Sequence, residues 1–280
     1  MRIFAMMPAR TFAWKKHIPF KRRRAFLVGL WLILLPLARR TDATVLNWPS
    51  APGWTAGAPA AGQTLVQSFT AASPNDVTVS INNNGVGPTG AQWVGGYPAI
   101  DSTSETGGFS GVNALQYYVN TQSATSSFIR TTISFATPVA GLTFQIWDVD
   151  AISAQFADKI SSIHATAVGG AVVGPTSVTS AVAGFNVISG SGLSTVVLGT
   201  AVASDTSNQG TIDITFSGQI TQFSFDWSNN DPQLVRQAIA IGPLTYAIVP
   251  ESSAVCCVLL VCAMAVALSE RSRRRNSGRA

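Results

Sequence analysis

Residues 254–268 (AVCCVLLVCAMAVAL) form an apolar run with no charge and no proline, and Arg271, Arg273, Arg274, Arg275 and Arg279 follow it. A helix over these fifteen residues is roughly 22 Å long, against a hydrocarbon core of about 30 Å. Ser269 and the snorkelling arginines extend that span, and a bilayer thins locally to meet a short helix. A charge-free helix backed by arginines is a stop-transfer pattern, with the arginines held on the cytoplasmic side. A buried core helix of a soluble domain has no packing use for such a tail. The pattern therefore predicts a transmembrane helix over 254–268 and a basic tail over 269–280.

The other end carries a matching signal. Lys21, Arg22, Arg23 and Arg24 close a basic stretch, and residues 25–38 (AFLVGLWLILLPLA) are apolar. This reads as a secretory signal peptide over residues 1–43, cleaved after Ala43 with Thr41 at the −3 position. Arg39 and Arg40, just past the apolar run, fit an uncleaved anchor instead. Either way the positive-inside rule places residues 44–250 on the far side of the inner membrane. Charge is partitioned accordingly. Residues 41–250 hold only Arg130, Lys159 and Arg236 against eleven acids, so three minus eleven gives −8 there, while the whole chain carries +5. The basic excess is a topology signal, and it excludes a nucleic-acid partner for the folded region. Cys256, Cys257 and Cys262 all lie in the C-terminal apolar run. The middle therefore has no disulfide framework, thiolate metal site or cysteine nucleophile, and its ~200 residues must be held by their core alone.

Immediately before the C-terminal run stand Val249, Pro250, Glu251, Ser252 and Ser253. A short V-P-E motif, one apolar helix and an arginine-rich end, in that order, resemble the PEP-CTERM sorting tail of Gram-negative bacteria. The family usually has a second proline where Ser252 stands here. The resemblance covers residues 249–280 and implies an exosortase-type membrane protease as partner, alongside signal peptidase. That protease would recognise Pro250-Glu251 and cut near the helix, leaving the protein at the cell surface or in the extracellular matrix.

Between the two ends, residues 44–63 are rich in Ala, Pro and Gly and read as an irregular lead-in. Residues 64–248 are dominated by Ser, Thr, Gly, Asn and Val, in short alternating or β-branched runs broken by turn formers. Strands are predicted near 64–69, 77–81, 114–119, 128–135, 142–148, 160–168, 194–198, 211–216, 220–227 and 238–246. Ile212, Ile214 and Phe216 share one face of such a strand, as do Phe223 and Phe225, and Gly218-Gln219 between them predicts a hairpin. Residues 82–111, rich in Gly and Asn, predict a long surface loop. Many short strands without helical periodicity make the region all-β: an antiparallel β-sandwich or jelly roll, flanked by the signal helix and the transmembrane helix. The runs LTFQIWDVD (142–150), ITQFSFDW (220–227) and AIGPLTY (240–246) look like the sandwich domains of bacterial surface and PEP-CTERM proteins.

Asp148, Asp150 and Asp158 form the dense acidic group. Hard carboxylate oxygens of this kind suit Ca²⁺, and Asp226, Asn229, Asn230 and Asp231 offer a second oxygen-rich loop. If both loops share one end of the sandwich, Asp148, Asp150, Asp158, Asp226 and Asp231 are the expected metal ligands; as turn formers they need bind nothing. The spacing matches neither an EF-hand nor an RTX repeat. A glycosidase carboxylate pair has no support from spacing, no G-x-S-x-G elbow accompanies His164, and no phosphate- or dinucleotide-binding loop is present. A non-enzymatic protein is expected. Among the aromatics Trp48, Trp54, Trp93, Tyr97, Tyr117, Tyr118, Trp147 and Trp227, the loop residues Trp93 and Tyr97 are the expected sugar-stacking pair, and Trp147 and Trp227 are expected in the core. Polysaccharide is thus a second partner class, through a carbohydrate-binding module attached to the envelope.

Overall fold

The structure is a computed structural model that describes residues 43–49, 64–73, 76–84, 92–121, 127–231, 235–249 and 262–265. Its strands are β1 (Ala43–Leu46), β2 (Thr64–Phe69), β3 (Val77–Asn84), β4 (Gln92–Trp93), β5 (Ala99–Asp101), β6 (Ala114–Thr121), β7 (Phe128–Trp147), β8 (Ala151–Ile152), β9 (Phe156–Ala167), β10 (Val172–Val173), β11 (Ser177–Ser180), β12 (Asn186–Ser189), β13 (Val196–Gly199), β14 (Ile212–Asn229), β15 (Val235–Ile241) and β16 (Leu244–Ile248). All described pairings are antiparallel. The described strands therefore agree with the predicted all-β class.

Two long strands carry the architecture. The first half of β7 lies between β3 and the second half of β14; its second half lies between β16 and the first half of β14. β9, β13 and β12 continue outward from β14, while β6 pairs along β15. Strict alternation drives this. Along β7, Ile129, Thr131, Ile133 and Phe135 are buried and the residues between them are not. Because side chains on a strand point to opposite faces in turn, that pattern commits one face to a core.

The core is sandwich-like. Phe223 sits 4.5 Å from Phe144, 6.2 Å from Phe135 and 6.3 Å from Phe216, ring centre to ring centre. These residues come from both halves of β7 and of β14, so the two halves close over a shared aromatic cluster. Tyr117 of β6 closes another part: its ring lies 6.2 Å from that of Trp227, and its hydroxyl hydrogen-bonds Thr131 Oγ1 at 2.8 Å.

Several expectations are corrected. Residues 211–216 and 220–227 are not joined by a hairpin at Gly218-Gln219 but belong to one strand, β14, which bends there through register breaks at 216/219 and 220/222. A tight hairpin needs positive φ at its turn residues, and Gly218 is not among the positive-φ glycines. β7 likewise runs through residues 136–141 instead of ending at Phe135. The 82–111 stretch is not one loop, because β3 reaches Asn84 and β4 and β5 both pair with β6. The lead-in begins with a strand: β1 pairs with β16, and Trp48, only 1% exposed, donates from Nε1 to Gly242 O at 2.9 Å. Cleavage after Ala43 would keep Thr44, Val45 and Leu46 of that strand.

The signal region up to residue 42, residues 50–63 with Trp54, Pro250, Glu251 and Ser252 of the sorting motif, and the basic tail all lie outside the described residues. Val249 is described and donates its N–H to Pro138 O at 2.8 Å. Residues 262–265 are helical, and among the described residues no helix is long and apolar enough to cross a membrane.

A tight side-chain clamp orders the turn between β2 and β3. Asp76 accepts N–H bonds from Ala71 (2.7 Å), Ala72 (2.8 Å) and Ser73 (3.0 Å). Burial pushes its carboxyl up, but these backbone donors outweigh burial and hold it below the usual carboxylate range. Asp76→Ala is expected to cost roughly 1 kcal/mol in urea melts at pH 7, from lost hydrogen bonds offset by water. Because the folded pKa is lowered, this contribution is present above the ordinary carboxylate value and fades as pH falls through the folded one. The gap between wild type and variant should therefore close in acid.

Candidate functional site

The acidic group predicted from Asp148, Asp150 and Asp158 exists, but its neighbours differ from those expected. β7 ends at Trp147, and the chain turns at Asp148, whose φ of 61° is a left-handed conformation. Val149 N–H donates to Gly210 O (2.9 Å), Ala151 N–H to Ala201 O (3.0 Å), and Asn186 Nδ2 to Val149 O. The first two bonds fasten the 201–211 loop, which carries Asp205, against the Asp148–Asp150 turn, and the third ties β12 to the same turn. A second loop arrives from β5: Thr106 N–H donates to Asp205 O at 2.9 Å, which sets Glu105 beside Asp205. One carboxylate oxygen from each of Glu105, Asp148 and Asp205 lies within 4.8 Å of the others.

The two remaining predicted acids sit deeper. Asp150 Oδ2 accepts the Ala203 N–H at 2.9 Å. Asp158 was expected in a turn, yet it is a fully buried, core-facing residue of β9, with Oδ1 accepting Trp227 Nε1 (2.8 Å) and Oδ2 the Asp150 N–H (3.2 Å). Its place in the alternating strand, in step with Phe156 and Ile160, explains this.

Electrostatics follow from crowding like charges away from water. Burial pushes the carboxyls of Glu105, Asp148 and Asp158 up, and repulsion by neighbouring carboxylates adds to it. Burial also raises Asp150 to about 6, against the Ala203 N–H and together with Asp205.

Asp226 is not part of this group. Its carboxylate forms a two-point pair with Arg130, Nε to Oδ1 at 2.7 Å and Nη2 to Oδ2 at 2.8 Å. Alternation along β14 sends Asp226 to the face opposite Trp227, so the two expected calcium loops do not combine as pictured. Asn229 closes the nearby turn, its Oδ1 accepting N–H bonds from Ala157 (3.1 Å) and Asp231 (2.9 Å). Arg130→Leu leaves the 4%-exposed Asp226 unpaired. Breaking a buried pair costs about 3–5 kcal/mol, but the Arg130 side chain is 39% exposed, so about 2 kcal/mol is expected. Chemical denaturation should show that loss at pH 7 and a partial recovery in the Arg130→Leu/Asp226→Asn double variant.

The sugar-stacking pair separates. Trp93 is half-buried, set edge-on to Tyr117 at 5.5 Å and packed on the main core, with its Nε1 buried and unpartnered. Trp48, Tyr117, Trp147 and Trp227 are buried as well. Tyr97 instead lines a cavity of about 300 Å³ with Ser104, Glu105, Gln116, Tyr118 and Asp205. Its ring stands edge-on to Tyr118 at 5.6 Å. A larger hollow of about 580 Å³ runs over Val45, Phe109, Gln145, Trp147, Asp213 and Thr245. Phe109, 42% exposed, stacks on Trp147 at 5.4 Å along its wall. Glu105 and Asp205 were not singled out from the sequence. The signal for Glu105 was there, since it is the only glutamate between residues 41 and 250. Asp205 gave none, because its partners are reached only through the fold.

No family model, curated protein or solved structure matches this chain.

Proposed function

We propose that this chain is an exported, non-enzymatic protein of the cell surface or extracellular matrix. In this reading a β-sandwich or jelly-roll ectodomain stands between a signal peptide (1–43) and a PEP-CTERM-like sorting tail (249–280). The observation that carries it is the charge partition: residues 41–250 hold −8 while the chain as a whole carries +5, with the basic residues gathered beside the two apolar runs. The antiparallel all-β fold supports it, because a domain of ~200 residues without cysteines has to be held by packing, and the core described here does that. Signal peptidase and an exosortase-type protease are the processing partners in this reading, with the membrane as the intermediate station. A fusion of alkaline phosphatase after Val249 tests it. The enzyme needs export for activity, so an active fusion at Val249 is expected, and an inactive one overturns the export reading.

A second reading, an envelope-attached carbohydrate-binding module, is favoured by the Tyr97 cavity. It joins aromatic rings to several oxygen-bearing side chains, the combination that fixes sugars in concave sites. The reading rests on Tyr97, not on Trp93, whose ring packs on the core. Polysaccharide binding that survives both Tyr97→Ala and Tyr118→Ala would dispose of it.

A further inference from the structure

The Tyr97 cavity carries more than an aromatic wall. We propose that Glu105, Asp148 and Asp205 hold a calcium ion, with Gln116 Oε1 as a neutral oxygen donor in the wall of the cavity that Glu105 and Asp205 line.

Three observations carry this. Oxygens sharing one Ca²⁺ at its usual ~2.4 Å are at most about 4.8 Å apart, and the three carboxylate oxygens all lie within 4.8 Å of one another, as donors to a single ion must. The donors are hard oxygens with no nitrogen or sulfur, which suits calcium and not zinc or copper. The third observation is independent of the acids. Gln116 is only 1% exposed and lines the cavity beside Glu105 and Asp205. Its Nε2 points toward the carbonyls of Asp101 (3.4 Å) and Glu105 (3.5 Å), long donor contacts that leave Oε1 turned the other way. Its Oε1 is left buried without a partner, as are Glu105 Oε2 and Asp148 Oδ1. Buried polar atoms rarely stay unpaired, because each costs its full desolvation. The Glu105 and Asp148 carboxyls contact each other and can share a proton, whereas Gln116 Oε1 is an acceptor beside them with no donor, so what would satisfy it together with these carboxylates is a cation.

The site is also held rigidly. A Cβ on Gly107 would come 2.3 Å from Trp147 Cγ, and one on Gly210 would come 2.9 Å from Val149 N, so both flanking loops pack at glycine distance against the Asp148 turn. Such a preset shell favours the larger, geometrically tolerant Ca²⁺ over Mg²⁺, which keeps its waters. The site does not depend on the export reading.

The test is thermal unfolding of the full-length chain in detergent micelles, stripped with EDTA and then titrated with CaCl₂. An ion bound only to the folded state raises stability with its concentration, so Tm should climb by roughly 5–10 °C at calcium 100-fold above its Kd. Asp205→Asn alters an exposed residue and should fold, yet lose most of that rise; Glu105→Gln should do the same. Terbium luminescence, excited through the nearby aromatics and displaced by calcium, reads occupancy independently of folding. No calcium-dependent rise in the wild type, an equal rise in Asp205→Asn and Glu105→Gln, or an equal rise with MgCl₂ each overturns the assignment.

Discussion

Replacing Phe223 with alanine is expected to cost about 3–5 kcal/mol, the largest single loss from the core. Phe223 is fully buried and touches Phe135, Phe144 and Phe216, which come from both halves of the two long strands. Its ring is therefore the filler between parts of the fold that the bend in β14 brings together. Truncation leaves a cavity that several aromatic neighbours line, and rings on paired strands cannot collapse far into it. Urea titration at pH 7 should give a lower midpoint with an unchanged slope, the mark of lost stability without a change in the surface exposed on unfolding. Phe223→Leu should recover more than half of the loss.

Trp227→Phe is expected to cost about 2–3 kcal/mol, from the lost indole N–H donor and from the smaller ring at a fully buried position. Trp227 Nε1 donates to Asp158 Oδ1 at 2.8 Å, and Asp158 is 0% exposed. Removing the indole N–H leaves this carboxylate with the Asp150 N–H as its remaining donor among the described bonds. The penalty depends on pH with a definite sign. Burial raises the folded pKa of Asp158 well above its ordinary value. A raised carboxyl gives its stability below the unfolded pKa, near 4, and loses it as pH rises toward the folded one. Losing the N–H donor raises that folded pKa further. The difference between Trp227→Phe and wild type should therefore be smallest in acid, where Asp158 is protonated in both, and should grow as pH rises through its folded pKa. Guanidinium melts across a pH series measure it.

Much of the fold was legible in the alternation of apolar residues. The Ile212–Ile214–Phe216 and Phe223–Phe225 faces lie in the core as read, and Trp147 and Trp227 are buried. The bends were not legible. Gly218-Gln219 carries the composition of a turn, but it serves a strand whose two halves both pair with β7, and pairing partners far along the chain decide between bend and hairpin. Short strands such as β1 and β4 escaped because four or two residues cannot display a period. At the site, Asp148, Asp150 and Asp158 were visible as a sequence cluster. Asp226 misled, because a strand-borne aspartate beside a turn looks the same whether it meets a cation pocket or Arg130. Glu105 and Asp205, 100 residues apart in the chain, are brought together by the fold, which joins their loops by the Thr106–Asp205 backbone bond.

Intact mass combined with membrane fractionation, on protein made in a host with an exosortase system, tests the central claim most directly. The account predicts a mature species at the cell surface or in the medium whose mass lacks residues 1–43 and the apolar run beyond Glu251. A full-length species of 280 residues in the cytoplasmic fraction would contradict export. A membrane species that keeps residues 254–280 would contradict sorting through the tail.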